Sequence, residues 1–214
     1  MAENTDYKSV DGMNMVQMSV DKSRFIAVVQ HVEDTDQIKA LLGSLKKSNK
    51  EAKHIAYAYR LGSDYSVAKH NDDGEPAGSA GLPIFEAIKT ANLSNVVIAV
   101  VRYFGGKELG KSKLTRTYGA VANSVIKYAK IMIMKFSNIY EMKVSYGDFA
   151  ALGKLLTEKG YNILEQNNNG NMPLIKVAIP VDVAEKEVEE IRARARNASF
   201  ITNVGSGYYR YKSY

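Results

Sequence analysis

At 214 residues the chain is long enough for one large domain or two small ones, each with its own core. It has no cysteine, which excludes disulfides, a disulfide-linked partner and thiolate metal sites, and no apolar run reaches the roughly 18 residues of a membrane span. The net charge of +6 is unevenly placed: residues 102–130 carry Arg102, Lys107, Lys111, Lys113, Arg116, Lys127 and Lys130 against one acid, Glu108.

In chain order, Met15–Val20 and Arg24–Val32 read as strands joined by a turn at Asp21-Lys22. Asp34 or Thr35 is placed to cap a helix whose Ile38, Leu41, Leu42 and Leu45 share one face. His54–Leu61 alternates as a half-buried strand does, and Tyr65–Lys69 pairs with it across Gly62-Ser63-Asp64. A polar loop, His70–Ala80, leads to a helix marked by Ile84, Ala87, Ile88 and Ala91, and Asn95–Phe104 reads as a buried strand. Leu114, Tyr118, Val121, Val125 and Tyr128 form the apolar stripe of the next helix. At about 100° per residue, Lys113, Arg116, Lys127 and Lys130 fall opposite it.

From about Lys135 the pattern restarts. A strand at Ile139–Tyr146 precedes a helix with Phe149, Leu152, Leu155 and Leu156, closed by Gly160. Strands at Tyr161–Gln166 and Leu174–Val181, a helix with Ala184, Val188, Ile191 and Ala195, and a strand at Ser199–Val204 complete a ferredoxin-like β-α-β-β-α-β order. The expectation is an α+β protein of two domains, 1–134 and 135–214.

The segment Gly105–Ser112 fits the phosphate-loop pattern G-x-x-x-x-G-K-[ST], which predicts a nucleotide hydrolase with Lys111 and Ser112 at the phosphates. Hydrolysis also needs an Asp at a strand end to hold Mg²⁺; Ile131–Phe136 ends without one, and Ile175–Asp182 lies in the other domain. A coincidental match is therefore expected.

The stretches Ser23-Arg24-Phe25-Ile26-Ala27, Ala52-Lys53-His54-Ile55-Ala56-Tyr57-Ala58-Tyr59-Arg60, Asn71–Pro83, Val101–Gly106 with Leu109-Gly110, and Leu114–Tyr118 together resemble the YigZ/IMPACT family. The resemblance covers most of residues 20–130. It implies an N-terminal domain similar to the domain 2-like fold of a small-subunit ribosomal protein, and a C-terminal domain similar to that of bacterial members. Eukaryotic relatives regulate translation through the activator of a stress kinase, a pathway bacteria lack. What the resemblance implies here is an association with RNA or the translation machinery. The sequence departs from the family's usual pattern at Ser79, Lys107-Glu108 and Lys111-Ser112-Lys113.

The motif residues His54, Arg60, Asp72, Asp73, Glu75 and Ser79 admit several uses. Converging carboxylates of the Asp72–Glu75 loop would hold a hard cation, and Asp73 and Glu75 with His54 would supply acid–base chemistry. Against these stands a tight Asp-Gly turn whose carboxylates bond amides near a helix start, with Ser79 as a cap or loop bond. His31 and His70 have no partner at metal-ligand spacing. Tyr208, Tyr209, Tyr211 and Tyr214, interleaved with Arg210 and Lys212, suit base stacking, or else lie on the sheet as a frayed tail.

The residues favour a cytoplasmic, non-catalytic binder of RNA or a ribosome-associated protein, with a role in translation regulation and without cofactor or metal. Arg102, Lys111, Lys113, Arg116, Lys127 and Lys130 would contact phosphates, and Gly105 and Gly106 would admit close backbone approach. The alternatives are a nucleotide hydrolase at Gly105–Ser112, a hydrolase at Asp73/Glu75 with His54, and a protein-interaction module.

Overall fold

The computed structural model describes residues 6–168, 172–194 and 200–211. It divides into two compact units, Tyr7–Ile131 and Met132 onward.

The first unit opens with β1 (Tyr7–Val10), β2 (Met13–Val20), β3 (Ser23–His31), α1 (Thr35–Ser48) and β4 (His54–Leu61). It continues with β5 (Val67–Asn71), α2 (Gly81–Thr90), β6 (Val96–Tyr103) and α3 (Lys111–Tyr128). Its sheet runs β2-β3-β6-β4-β5, with every neighbouring pair antiparallel. The β2–β3 turn falls on Asp21 and Lys22, both with positive φ (46° and 64°), the twist that matches a tight hairpin. Of the two candidate caps of α1, Asp34 is used: its carboxylate accepts the amides of Asp36 and Gln37.

Strand alternation splits the core into two layers. Phe25, Ala27, Val29, Ala56, Ala58, Ile98 and Val100 face α2 and α3 through Ile84, Ile88, Leu114, Tyr118, Val121 and Val125. On the other face Val28, Val32, Leu61 and Val97 meet Ile38 and Leu41 of α1. Tyr128 departs from the expected stripe of α3 and is 74% exposed.

The second unit comprises β7 (Ile131–Lys143), α4 (Tyr146–Glu158), β8 (Asn162–Asn167), β9 (Leu174–Pro180), α5 (Ala184–Arg194) and β10 (Phe200–Tyr211). Its strands lie in the order β10-β7-β9-β8, a split β-α-β arrangement around Met142, Leu152, Leu156, Ile175, Val177 and Val188. Two strands run longer than their sequence pattern: β7 starts at Ile131 and β10 continues to Tyr211. Their extra length is mutual, since Tyr208 pairs with Phe136 and Tyr211 with Ile133. The Tyr208–Tyr211 stretch is thus strand rather than frayed tail; Ala195, Ser199, Lys212 and Tyr214 lie outside the described residues.

Candidate functional site

Alternation along β6 carries Val96, Ile98, Val100 and then Arg102 onto the face beneath α3. Arg102 is only 5% exposed, and its Nη1 donates to both Glu75 carboxylate oxygens at 2.7 and 2.8 Å. The Tyr118 hydroxyl donates to Glu75 Oε1 at 2.8 Å. Phe25 closes the cluster, 5.5 Å from the guanidinium and edge-on to Tyr118 at 5.3 Å. Burial and the adjacent Glu75 charge push the Tyr118 phenol far above its ordinary value. Arg102 is therefore removed from the expected phosphate-contacting set, because its charge is matched inside the core.

The three carboxylates of the acidic loop diverge. Asp72 accepts the amides of Gly78, Ala80 and Gly81 at 2.9, 2.9 and 2.8 Å, filling the capping role over the first turn of α2. Burial raises its carboxyl, but those amide bonds outweigh it and the net shift is downward. Asp73 Oδ2 accepts the Ile55 amide at 2.7 Å, while the His54 Nδ1–H donates to the Asp73 carbonyl at 2.6 Å. With Glu75 turned inward, no shared cation cage or Asp73–Glu75–His54 acid–base set is assembled. Ser79 is fully buried and its Oγ bonds nothing, so the expected cap is supplied by Asp72 instead. Arg60 stacks 3.5 Å over the Tyr65 ring.

The Gly-rich turn serves the fold at one glycine. A Cβ on Gly105 would lie 2.2 Å from the Lys22 carbonyl carbon and 2.4 Å from the Ser23 nitrogen. The Gly105 amide donates to Ser23 Oγ at 3.1 Å. Close approach at Gly105 is thus to the β2–β3 turn. Gly106 and Gly110 have φ of 84° and 72° and open space around them. The strands beside β6, β3 and β4, are both antiparallel to it and end at the opposite edge. Neither can end in an Asp beside this loop, the placement that Mg²⁺-dependent phosphoryl transfer requires.

Outward from this cluster, α3 and the residue pair after it expose Lys111, Arg116, Lys127 and Lys130. No acid occurs from Leu109 to Lys130. Lys113 is half-buried and holds Asp21 at 2.6 Å, tying α3 to the hairpin turn. Tyr128, expected in the core, adds an exposed aromatic ring beside Lys127 in the chain.

The Impact N-terminal domain matches residues 21–126. An IMPACT family member of Haemophilus influenzae is 31% identical over 172 residues, spanning 79% of this chain and 81% of that protein. The chain belongs to the IMPACT family. The IMPACT family member YigZ of Escherichia coli is 28% identical over 163 residues, 75% of this chain and 79% of its own. A solved structure described as that of a hypothetical protein aligns over 92% of this chain and 96% of its own, with a TM-score of 0.63 at 24% identity, a likeness of fold. Much of the IMPACT signature in this chain meets in one place: Phe25, Glu75, Arg102 and Tyr118 come from four separate motif stretches and form a single buried network.

Proposed function

We propose that the protein binds RNA or a ribosome-linked partner without chemistry of its own, through the outer face of α3, in a translation-linked role. The observation that carries this reading is a helix without acids whose Lys111, Arg116 and Lys127, with Lys130 just after it, are turned to solvent. Such a surface attracts phosphates and releases counterions on binding. Gly106 adds an open, side-chain-free backbone next to it. The burial of Arg102 and Glu75 supports a binding rather than a catalytic role, since the charged motif residues stabilise the scaffold.

The experiment is titration of the full chain with a labelled single-stranded RNA across a salt series. Four phosphate contacts give a slope of log affinity on log salt of about −3, and charge reversal of Lys111, Arg116, Lys127 and Lys130 should weaken binding at least about tenfold and flatten it. Native affinity in that variant would move the interface off α3.

A further inference from the structure

The opposite face of the same sheet carries a second basic site. Along β4, Ala56 and Ala58 enter the core under α2 and α3, so Ile55, Tyr57 and Tyr59 point to the α1 side. There a groove of about 790 Å³ opens between the C-terminal half of α1, the loop after it and β4. Its floor is Leu42, Ala52, Ile55 and Tyr57, and its rim is Lys46, Lys47, Lys50 and Lys53. All four lysines are exposed, and no ion pair engages them among the described residues. Lys46 and Lys47 suit the negative end of α1. Lys50 and Lys53 lie beyond the helix, where the helix dipole does not account for them. The Tyr57 ring is held parallel to Tyr59 at 6.4 Å, a pre-set aromatic platform.

We propose that this groove binds a segment of single-stranded nucleic acid, phosphates on the lysine rim and a base against Tyr57. The combination of a cationic rim and an aromatic floor is the arrangement that holds unpaired strands without sequence reading. Asp73 argues for a base over an acidic peptide. Among the described residues it is the one carboxylate lining the groove, and its Oδ2 is committed to the Ile55 amide. A peptide carboxylate would meet a like charge there, whereas a base offers amino and imino hydrogens to Asp73 Oδ1. The site is independent of α3, which packs on the other face of the sheet.

The test uses the full chain and a labelled oligoribonucleotide of about ten nucleotides. In the α3 charge-reversed chain, Lys46→Glu, Lys50→Glu and Lys53→Glu together should weaken the remaining binding at least about tenfold and flatten its salt slope by about 2, at about 0.7 per lost contact. Tyr57→Ala in that chain should weaken it about fivefold or more with the slope unchanged, and Tyr57→Phe should leave it unchanged. Matched thermal melts separate these effects from misfolding, and Lys→Gln replacements at the same three positions provide a milder set. The α3 charge-reversed chain must still show the groove effects, so the two sites fail separately. Native-like binding by both the lysine and Tyr57 variants overturns the site. Displacement of the RNA by a Glu-rich peptide at equal charge concentration also overturns it, in favour of an acidic protein partner.

Discussion

Arg102 Nη1 sits 2.7 and 2.8 Å from the two oxygens of Glu75, and both side chains are sealed beneath α3. The pair joins the loop after β5 to the end of β6, and Tyr118 ties it to the helix above. Removing one partner strands a buried charge; removing both strands none. Arg102→Met or Glu75→Leu alone should each cost about 3–5 kcal/mol, and the double replacement clearly less than their sum. Urea unfolding of the four chains measures this, and additive losses would mean the two groups are not coupled.

Gly105 and Gly106 should respond differently to alanine. At Gly105 the new Cβ meets the Lys22 and Ser23 backbone at 2.2–2.5 Å, so the hairpin turn must move. Gly106 has open space and a left-handed backbone, so alanine there should cost only about 1–2 kcal/mol. We expect Gly105→Ala to exceed that and to shift the amide resonances of Asp21, Lys22 and Ser23. An unshifted turn with RNA affinity lost would assign Gly105 to the ligand instead.

Stability should fall as the pH drops below 6.5. Burial holds the His31 imidazole below its ordinary value of 6.5, outweighing Glu33 3.8 Å away and the bond to the Asn95 backbone. A histidine that titrates lower in the folded chain than in the unfolded one contributes stability that is full above the unfolded value. That contribution is lost as the unfolded chain gains protons first. Unfolding free energies measured from pH 7.5 to about 5 should show this slope, and His31→Gln should remove it. Below the ordinary aspartate value of 3.8 a second loss is expected from Asp72, whose carboxyl is held down by the α2 amides.

The two units should fold separately when cut at the right bond. Met132 onward keeps the Ile133–Tyr211 and Met134–Arg210 pairs of β7 with β10, whereas a chain beginning at Lys135 loses them. We expect fragments 1–131 and 132–214 to give dispersed amide spectra, and 135–214 to be less stable than 132–214. Equal stability of the two C-terminal fragments would show that this stretch of ladder contributes nothing.

Local pattern determined much of this protein. The period of two in His54–Leu61, the capping Asp34, the turn at Asp21-Lys22 and the β-α-β-β-α-β order are readable because each depends on neighbours within a few residues. The lengths of β7 and β10 were not, because each extends only as far as its distant partner does.

The site divides in the same way. Helical spacing alone places Arg116 and Lys127 outside, since a stripe of Leu114, Val121 and Val125 fixes which side of α3 is buried. Arg102, by contrast, looks like one more cation of a basic segment until β6 is seen to face α3, with Glu75 brought opposite from 27 residues away in sequence. Ser79 reads as a cap, yet three-dimensional closeness gives that role to Asp72. Lys46, Lys47, Lys50 and Lys53 read as the tail of a helix, and only the packing of α1 over β4 sets them around Tyr57. Sequence carries the period and sign of each face; which faces meet, and therefore which charges are neutralised and which are left for a partner, is decided by packing.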